Sequence, residues 1–396
     1  MELEKYIRGI YGCTRCGVCV HKYNPWGDKK VCPIREHTVG FESYTSRGRN
    51  QIARGVLEGT IEITPELADA AYHCLLCGNC RRACGCIDIE TFSPMINQPH
   101  ITKALRADLF ASGVELPDHV DMFSNAIERG ANIFGAPVAE RNDWLTDDIK
   151  LDPTADTVYF PGCLSTYREQ EIAQSTVKLL NILGIPFNIL GEDEQCCGNP
   201  MLMVGNLFLA RDLMHHNYEL MKGKRVIASC AGCYRTFIQE YPKLLGEEYT
   251  VDAVHIVQLL AEMIDQGKVK FTKKIKQKAV YHDPCELGRE MDVYDEPRKI
   301  LQAIPGLELV EFVSTREQTW CCGGGGAVKG LNNDLSVEIA GDKVEQANEV
   351  GATMIVSACP SCKTNINDGI EAAGSDLQMK DVIELVIEAG IKKAKP

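Results

Sequence analysis

One five-point cysteine pattern occurs twice in this chain. The first copy is Cys163, the pair Cys196-Cys197 followed by Gly198, and Cys230-Ala231-Gly232-Cys233. The second is Cys285, Cys321-Cys322-Gly323, and Cys359-Pro360-Ser361-Cys362. Ten of the 19 cysteines fall in these copies, and chance does not repeat such a spacing. The pattern is a duplicated metal-binding module, and each copy must fold so that its sulfurs converge.

Length and charge narrow the setting. A chain of 396 residues has room for two or three domains. A net charge of −13 argues against nucleic acid as partner, because phosphates call for clustered Lys and Arg. No apolar run reaches the 18 or so residues of a membrane span, and Met1-Glu2-Leu3-Glu4-Lys5 does not resemble a signal peptide. The expectation is a cytoplasmic protein, membrane-associated at most through a partner. In a reducing compartment, cysteines spaced C-x2-C are ligands more readily than disulfides. Thiolates are soft donors that select Fe–S clusters, Zn or Cu(I).

The N-terminal third carries a second pattern. Cys13, Cys16 and Cys19 form a C-x2-C-x2-C triplet followed by Cys32-Pro33; Cys74, Cys77 and Cys80 repeat it, followed by Cys84 and Cys86. A triplet plus a remote fourth cysteine is the two-cluster ferredoxin arrangement, in which the fourth ligand serves the other cluster. The expected sets are Cys13, Cys16, Cys19 and Cys84 for one [4Fe–4S] cubane, and Cys74, Cys77, Cys80 and Cys32 for the other. Two departures stand out. A loop over 22–28 interrupts the first motif, and Gly85 follows Cys84 where Pro is usual. Cys86 either replaces Cys84 or is a spare thiol; spacing favours Cys84. Two zinc sites are the rival reading, but zinc sites usually use paired C-x2-C units rather than triplets.

Between the triplets, Arg47, Arg49 and Arg54 either neutralise cluster charge, dock an acidic partner or coat a solvated helix face. Thr64-Pro65-Glu66 reads as a capped helix start. Leu105 and Leu109, then Val120, Phe123 and Ile127, have helical spacing; Gly130, Gly135 and Pro137 break it. These features divide the chain into a ferredoxin-type domain over 1–100, a helical linker over 101–150, a first cysteine-pair domain over 151–272 and a second over 273–396.

In both copies short apolar strands alternate with helical stretches, and the cysteines lie at strand ends or in the loops beyond. Alternating strand and helix predict βα units and a parallel sheet, whose ligands collect beyond the carboxyl ends of the strands. The fold class is therefore α/β: a mainly α-helical two-cluster ferredoxin domain, then two Rossmann-like βα domains. Gly323, Gly324, Gly325 and Gly326 permit close backbone approach to a cofactor or substrate, or else form a flexible surface loop. Neither a dinucleotide nor a flavin fingerprint nor a complete Walker A motif is legible, so no flavin is expected in this chain. His282, three residues before Cys285, is the candidate proton donor, against the reading of a packed strand-end histidine. His215 and His216 read as helix-surface residues, and Lys329 either attracts an anionic substrate or is a solvent lysine.

These motifs resemble the CCG domain pair of the heterodisulfide reductase catalytic subunit family, fused behind a two-cluster ferredoxin domain. The pattern is similar to the iron–sulfur subunits of glycolate oxidase, lactate-utilisation enzymes and anaerobic glycerol-3-phosphate dehydrogenase. It also resembles an electron-transfer subunit proposed for benzoyl-coenzyme A reductase complexes. The resemblance covers nearly the whole chain and is weakest around 100–150. It implies noncubane [4Fe–4S] clusters at complete CCG motifs, with Cys163, Cys196, Cys197, Cys230 and Cys233 for one and Cys285, Cys321, Cys322, Cys359 and Cys362 for the other. It further implies reduction of a small disulfide by electrons from the two cubanes. A copy that binds zinc or a simpler cluster is the alternative. The implied partners are a flavoprotein or other electron-transfer subunits, a membrane cytochrome b among them. A non-catalytic relay from such a flavoprotein to quinone or a low-potential reductase is the rival function.

Overall fold

The computed structural model describes residues 1–20, 31–246 and 249–394. The loop over 22–28 that interrupts the first cysteine motif lies outside the described residues.

The first hundred residues are helical. Helix α1 (Ser46–Leu57) starts where the Thr45 hydroxyl accepts the Gly48 N–H at 3.1 Å. Helix α2 (Pro65–Tyr72) starts at Thr64, with Pro at its first position as the sequence predicts. Helices α3 (Gln98–Ser112) and α4 (Asp118–Gly130) occupy the predicted linker. They form no loose tether: Leu105, Leu109 and Val120 are fully buried. The hydrophobic core that includes them runs on without a break into both following domains.

The two remaining domains have the same topology. In the first, β1 (Thr157–Phe160), β2 (Asn188–Ile189), β3 (Arg225–Ala228) and β4 (Asp252–His255) form a parallel sheet in the order β2-β1-β3-β4. Its helices include α5 (Gln170–Leu183), ended by Gly184 at φ 66°, α6 (Leu207–Met221) and α7 (Ile256–Asp265). A short strand β5 (Val269–Phe271) leads to the second domain. There β6 (Lys278–His282), β7 (Glu308–Val310), β8 (Met354–Ser357) and β9 (Gln378–Asp381) pair in the order β7-β6-β8-β9, again all parallel. Helices α8 (Asp295–Ala303), α9 (Asn333–Glu349), α10 (Pro360–Ala372) and α11 (Val382–Glu388) complete it. Central strands β1, β3, β6 and β8 are almost wholly buried, which is why they read as apolar runs rather than alternating ones.

The copies clasp each other reciprocally. Helix α7, last of the first copy, packs on α8, first of the second; α11, last of the second, packs on α5, first of the first. Strand β10 (Ile391–Lys393) closes the pair by running antiparallel to β5. This pseudo-twofold arrangement turns the carboxyl ends of both sheets toward one another. Among the described residues no helix is long and apolar enough to cross a membrane.

Candidate metal centre

The cysteine turns depend on glycine. Cys163 follows Gly162, which has φ 74° and lies so close to Cys233 that a Cβ would sit 2.8 Å from its Sγ. Each adjacent pair is followed by a glycine at φ 89°, Gly198 or Gly323. A Cβ on Gly323 would stand 2.5 Å from the Ser336 carbonyl oxygen, so only glycine serves there. Side chains hold the second turn: the Ser336 hydroxyl donates to the Gly323 carbonyl at 2.8 Å, and Asn365 Nδ2 donates to the Cys322 carbonyl at 2.5 Å. The C-x2-C cysteines come from the ends of β3 and β8 and from the first turns of the helices beyond.

All ten cysteines of the two copies line one cavity of about 180 Å³. The sulfurs touch in a chain. Cys163 meets Cys196, Cys197 meets Cys196 and Cys233, and Cys233 meets Cys230. Cys230 of the first copy meets Cys359 of the second, which touches Cys362. Cys362 lies 3.4 Å from Cys322, and Cys321 touches both Cys322 and Cys285. At 3.4 Å two sulfurs are far outside disulfide bonding, and all nineteen cysteines are free. Contact with neighbouring thiols holds Cys197 and Cys322 well below the usual thiol range, and pushes Cys196, Cys233, Cys321 and Cys362 well above it. Each site thus holds at least one thiolate among neutral thiols in an apolar enclosure, which is costly unless a cation lies beside it. Five soft donors per copy exceed the four that a structural zinc takes, so the donor set suits a polynuclear cluster. Iron–sulfur clusters fit; a single zinc in either copy does not use the residues present.

The copies differ in their other polar groups. His282 ends β6, is buried, and its imidazole touches Cys322. One atom each of His282, Cys322 and Cys362 lie mutually within 4.8 Å, and His282 Nδ1 has no hydrogen-bond partner among the described residues. The equivalent residue of the first copy is Phe160: Phe160 stands opposite Ala228 as His282 stands opposite Ser357. Next to Cys163 is Leu164, whereas next to Cys285 is Glu286, which crosses to the first copy. Its Oε2 accepts from Asn199 Nδ2 at 3.1 Å and from Arg235 Nε at 3.2 Å. Glu286 escaped the sequence reading because it follows a cysteine and resembles any surface acid.

The ferredoxin-type cysteines gather in two smaller cavities. Cys13, Cys16, Cys19, Cys80, Cys84 and Cys86 line one; Cys32, Cys74, Cys77 and Cys80 line the other. Cys84 and Cys86 thus face the same space, and Cys86 Sγ lies 3.6 Å from Thr14 Oγ1. Cys77 also touches Cys321, and that contact, first among several causes, pulls its pKa down to about 6. The second ferredoxin site therefore abuts the second copy.

The glycine run makes that approach possible. A Cβ on Gly326 would stand 2.2 Å from the Cys74 carbonyl, and one on Gly325 would stand 2.8 Å from the Leu75 carbonyl. The run is buried packing against the ferredoxin-type backbone rather than a free surface loop, and Gly324 lines the large cavity. Arg106, fully buried in α3, pins the junction. It donates to the carbonyls of Ala71, Tyr72 and Cys74, to Met203 of the first copy at 2.7 Å, and to Gly326 of the second at 2.9 Å. Burial pushes its pKa down to about 10, so it stays charged. Arg289 Nη1 similarly reaches the Cys77 carbonyl at 2.9 Å. Neither arginine was legible, because a lone arginine in a helix or loop reads as solvent-facing.

Other expectations fare variously. Arg49 is buried and donates to Ala70 and His73 carbonyls, so it coats no solvated face; Arg47 and Arg54 pair with Glu42 and Glu58. Lys329 is no free solvent lysine either, being bound to Asp368 at 2.6 Å and Asn365 at 2.8 Å. His215 lies on the surface of α6, and His216 hydrogen-bonds the Asp193 carbonyl.

Comparison with known proteins agrees with the donor chemistry. A cysteine-rich domain family matches residues 157–238 and 279–367, and a 4Fe-4S dicluster domain family matches 9–86. The chain is 36% identical to a subunit of the dihydromethanophenazine:CoB--CoM heterodisulfide reductase of Methanosarcina barkeri, over 95% of this chain and 93% of that one. It is 28% identical to a subunit of the fumarate reductase (CoM/CoB) of Methanothermobacter marburgensis, over 95% of this chain and 72% of the relative. It is 31% identical to EtfAB:quinone oxidoreductase of Syntrophomonas wolfei, over 79% of this chain but 46% of that longer protein.

Proposed function

This chain belongs to the family of iron–sulfur oxidoreductases that includes the heterodisulfide reductase subunit of Methanosarcina, and on that premise we propose that it reduces a disulfide at the paired CCG sites. Its domains would then be the ferredoxin-type unit over 1–100, the connector over 101–150, and the CCG domains over 151–272 and 273–396. Cys13, Cys16, Cys19 and Cys84 would hold one cubane, and Cys32, Cys74, Cys77 and Cys80 the other. The two CCG sets would hold noncubane [4Fe–4S] clusters. Bound there, such clusters supply single electrons at sulfur-ligated iron.

The observation that carries this reading is the convergence of ten cysteines from two copies on one apolar cavity. The reaction takes one disulfide, two electrons and two protons to two thiols. Leu75, Phe123, Leu164 and Met203 give the cavity an apolar wall beside the sulfurs. Glu286, held by Arg235 and Asn199, fixes the copies in register across the cavity. The His282 imidazole, beside Cys322, is placed to give a proton to the substrate sulfur released at the second site. A flavoprotein or other electron-transfer partner would supply the electrons.

A second reading is a relay between a flavoprotein and a quinone or low-potential acceptor. Its support is the similarity to EtfAB:quinone oxidoreductase. Anaerobic iron and sulfide analysis with EPR, with and without a thiol such as coenzyme M, separates the two. About sixteen irons, four four-iron clusters' worth, and a thiol-dependent paramagnetic signal are expected. About eight irons and no response to thiol would transfer the function to the relay reading.

A further inference from the structure

The chain between Cys86 and Met95 leaves the ferredoxin-type domain as a stapled finger. Its base is closed by the Met95 N–H donating to the Cys86 carbonyl at 2.9 Å and by the Ile87–Pro94 bridge. Asp88 Oδ1 accepts the N–H groups of Glu90 at 2.9 Å and Thr91 at 3.3 Å, and the Asp88 carbonyl accepts the Phe92 N–H at 2.8 Å. Arg8 pairs with the Asp88 carboxylate at 3.1 Å. The loop is thus closed on itself by its own hydrogen bonds.

Its tip contradicts ordinary packing. Ile89 is 82% exposed and Phe92 84% exposed. Phe92 also has φ 52°, a left-handed conformation that is strained for an aromatic residue. The fold therefore holds two large apolar side chains in water and strains one of them to do so. The finger springs from Cys84 and Cys86, and the exposed residues Thr14, Arg15 and Cys16 adjoin its base through the Thr14–Cys86 contact. Arg47, on the same wall of that cavity, donates to the Arg15 carbonyl at 3.4 Å.

Charge singles out the same end. Residues 1–100 carry 12 Lys and Arg against 11 Asp and Glu, whereas the rest of the chain carries 30 against 44. An acidic protein is repelled by most of this molecule and least at the ferredoxin-type end, where Arg8 pairs with both acids of the finger, Asp88 and Glu90.

We infer that the finger, with Arg15 and the exposed Cys16 turn, is the docking surface for an acidic electron-carrier protein. The inference rests on the reading that Cys13, Cys16, Cys19 and Cys84 hold a redox cluster. Ile89 and Phe92 enter an apolar depression on the carrier, Arg15 faces its carboxylates, and one electron crosses beside Cys16. Such contacts are small and short-lived, with a few anchors carrying most of the energy.

The test is anaerobic stopped-flow reduction of the iron-loaded full chain, parent and Ile89→Ser/Phe92→Ser, by two donors. One is reduced flavodoxin, an acidic protein carrier; the other is reduced methyl viologen, a small molecule that needs no docking surface. The double variant is expected to take electrons from flavodoxin about tenfold more slowly, the loss typical of anchor removal. Added salt should slow the parent reaction. Viologen rates, iron content and cubane EPR signals should be unchanged. Equal flavodoxin rates in parent and variant, with cubane signals intact, would overturn the docking surface while leaving the cluster reading standing. Absence of cubane signals in both proteins would instead overturn the cluster reading. Loss by the variant of binding to phosphatidylglycerol vesicles, without change in the flavodoxin rate, would show a membrane contact and also overturn the proposal.

Discussion

His282 and Phe160 occupy the same place in the two copies, so the duplication contains its own control. Phenylalanine fills that strand position in the first copy, and His282→Phe replaces the imidazole beside Cys322 with a ring that carries no proton. Turnover of a disulfide with reduced methyl viologen should fall on the order of a hundredfold, the loss expected for a proton donor, with iron content retained. Full turnover would show a merely packed histidine. Two glycines predict opposite outcomes. Gly326→Ala places a Cβ 2.2 Å from the Cys74 carbonyl at φ 61°, and should destabilise by about 1–3 kcal/mol. Gly341, inside α9 with nothing near its missing Cβ, should gain roughly 0.5–1 kcal/mol on Gly341→Ala through helix propensity. Thermal melts of the two variants decide both. Neither outcome was legible beforehand, since glycines in a run and a glycine in a helix look equally dispensable until their neighbours are known.

At the scale of elements, the helix Pro33–Glu36 docks on α9 through a titratable contact. His37 Nε2 lies 2.9 Å from Asp342 and Nδ1 3.1 Å from Glu338, and Trp320 donates to the same Asp342 carboxylate at 2.8 Å. The hydrogen bond to Asp342, opposed by burial and aided by Glu338, raises the His37 pKa above its ordinary 6.5. A raised pKa means the folded state holds the proton more tightly. This contribution is therefore complete below about pH 6.5 and is lost as pH climbs through the higher folded value. The parent Tm should decline over that window, and His37→Gln should flatten the decline; parallel curves would remove His37 from the account. Elements themselves were readable where local chemistry specifies them: the cap at Thr64 and the apolar strands that end at the cysteines of both copies. Strand β2 is only two residues long, because Asn188 and Ile189 alone pair with β1 in register.

For the whole molecule, one side chain joins three domains. Arg106 donates to five carbonyls spread over the ferredoxin-type unit and both CCG copies. Arg106→Met strands those acceptors in a dry junction, and a loss on the order of 3 kcal/mol or more is expected. Calorimetry should then resolve the ferredoxin-type domain melting separately from the CCG pair, where the parent melts together. A single unshifted transition would mean the junction is held by packing alone.

The sequence by itself determined the cysteine chemistry, the duplication and the α/β class, because ligand spacing and apolar periodicity are local properties written along the chain. It left undecided which sulfurs meet. Only the tertiary structure brought Cys230 to Cys359, Cys77 to Cys321, and Glu286 to Asn199 and Arg235. Those contacts join residues more than fifty positions apart, between the two copies or between the ferredoxin-type unit and the second copy. Such pairings follow from how whole faces pack, a property of the assembled fold that no window of sequence contains.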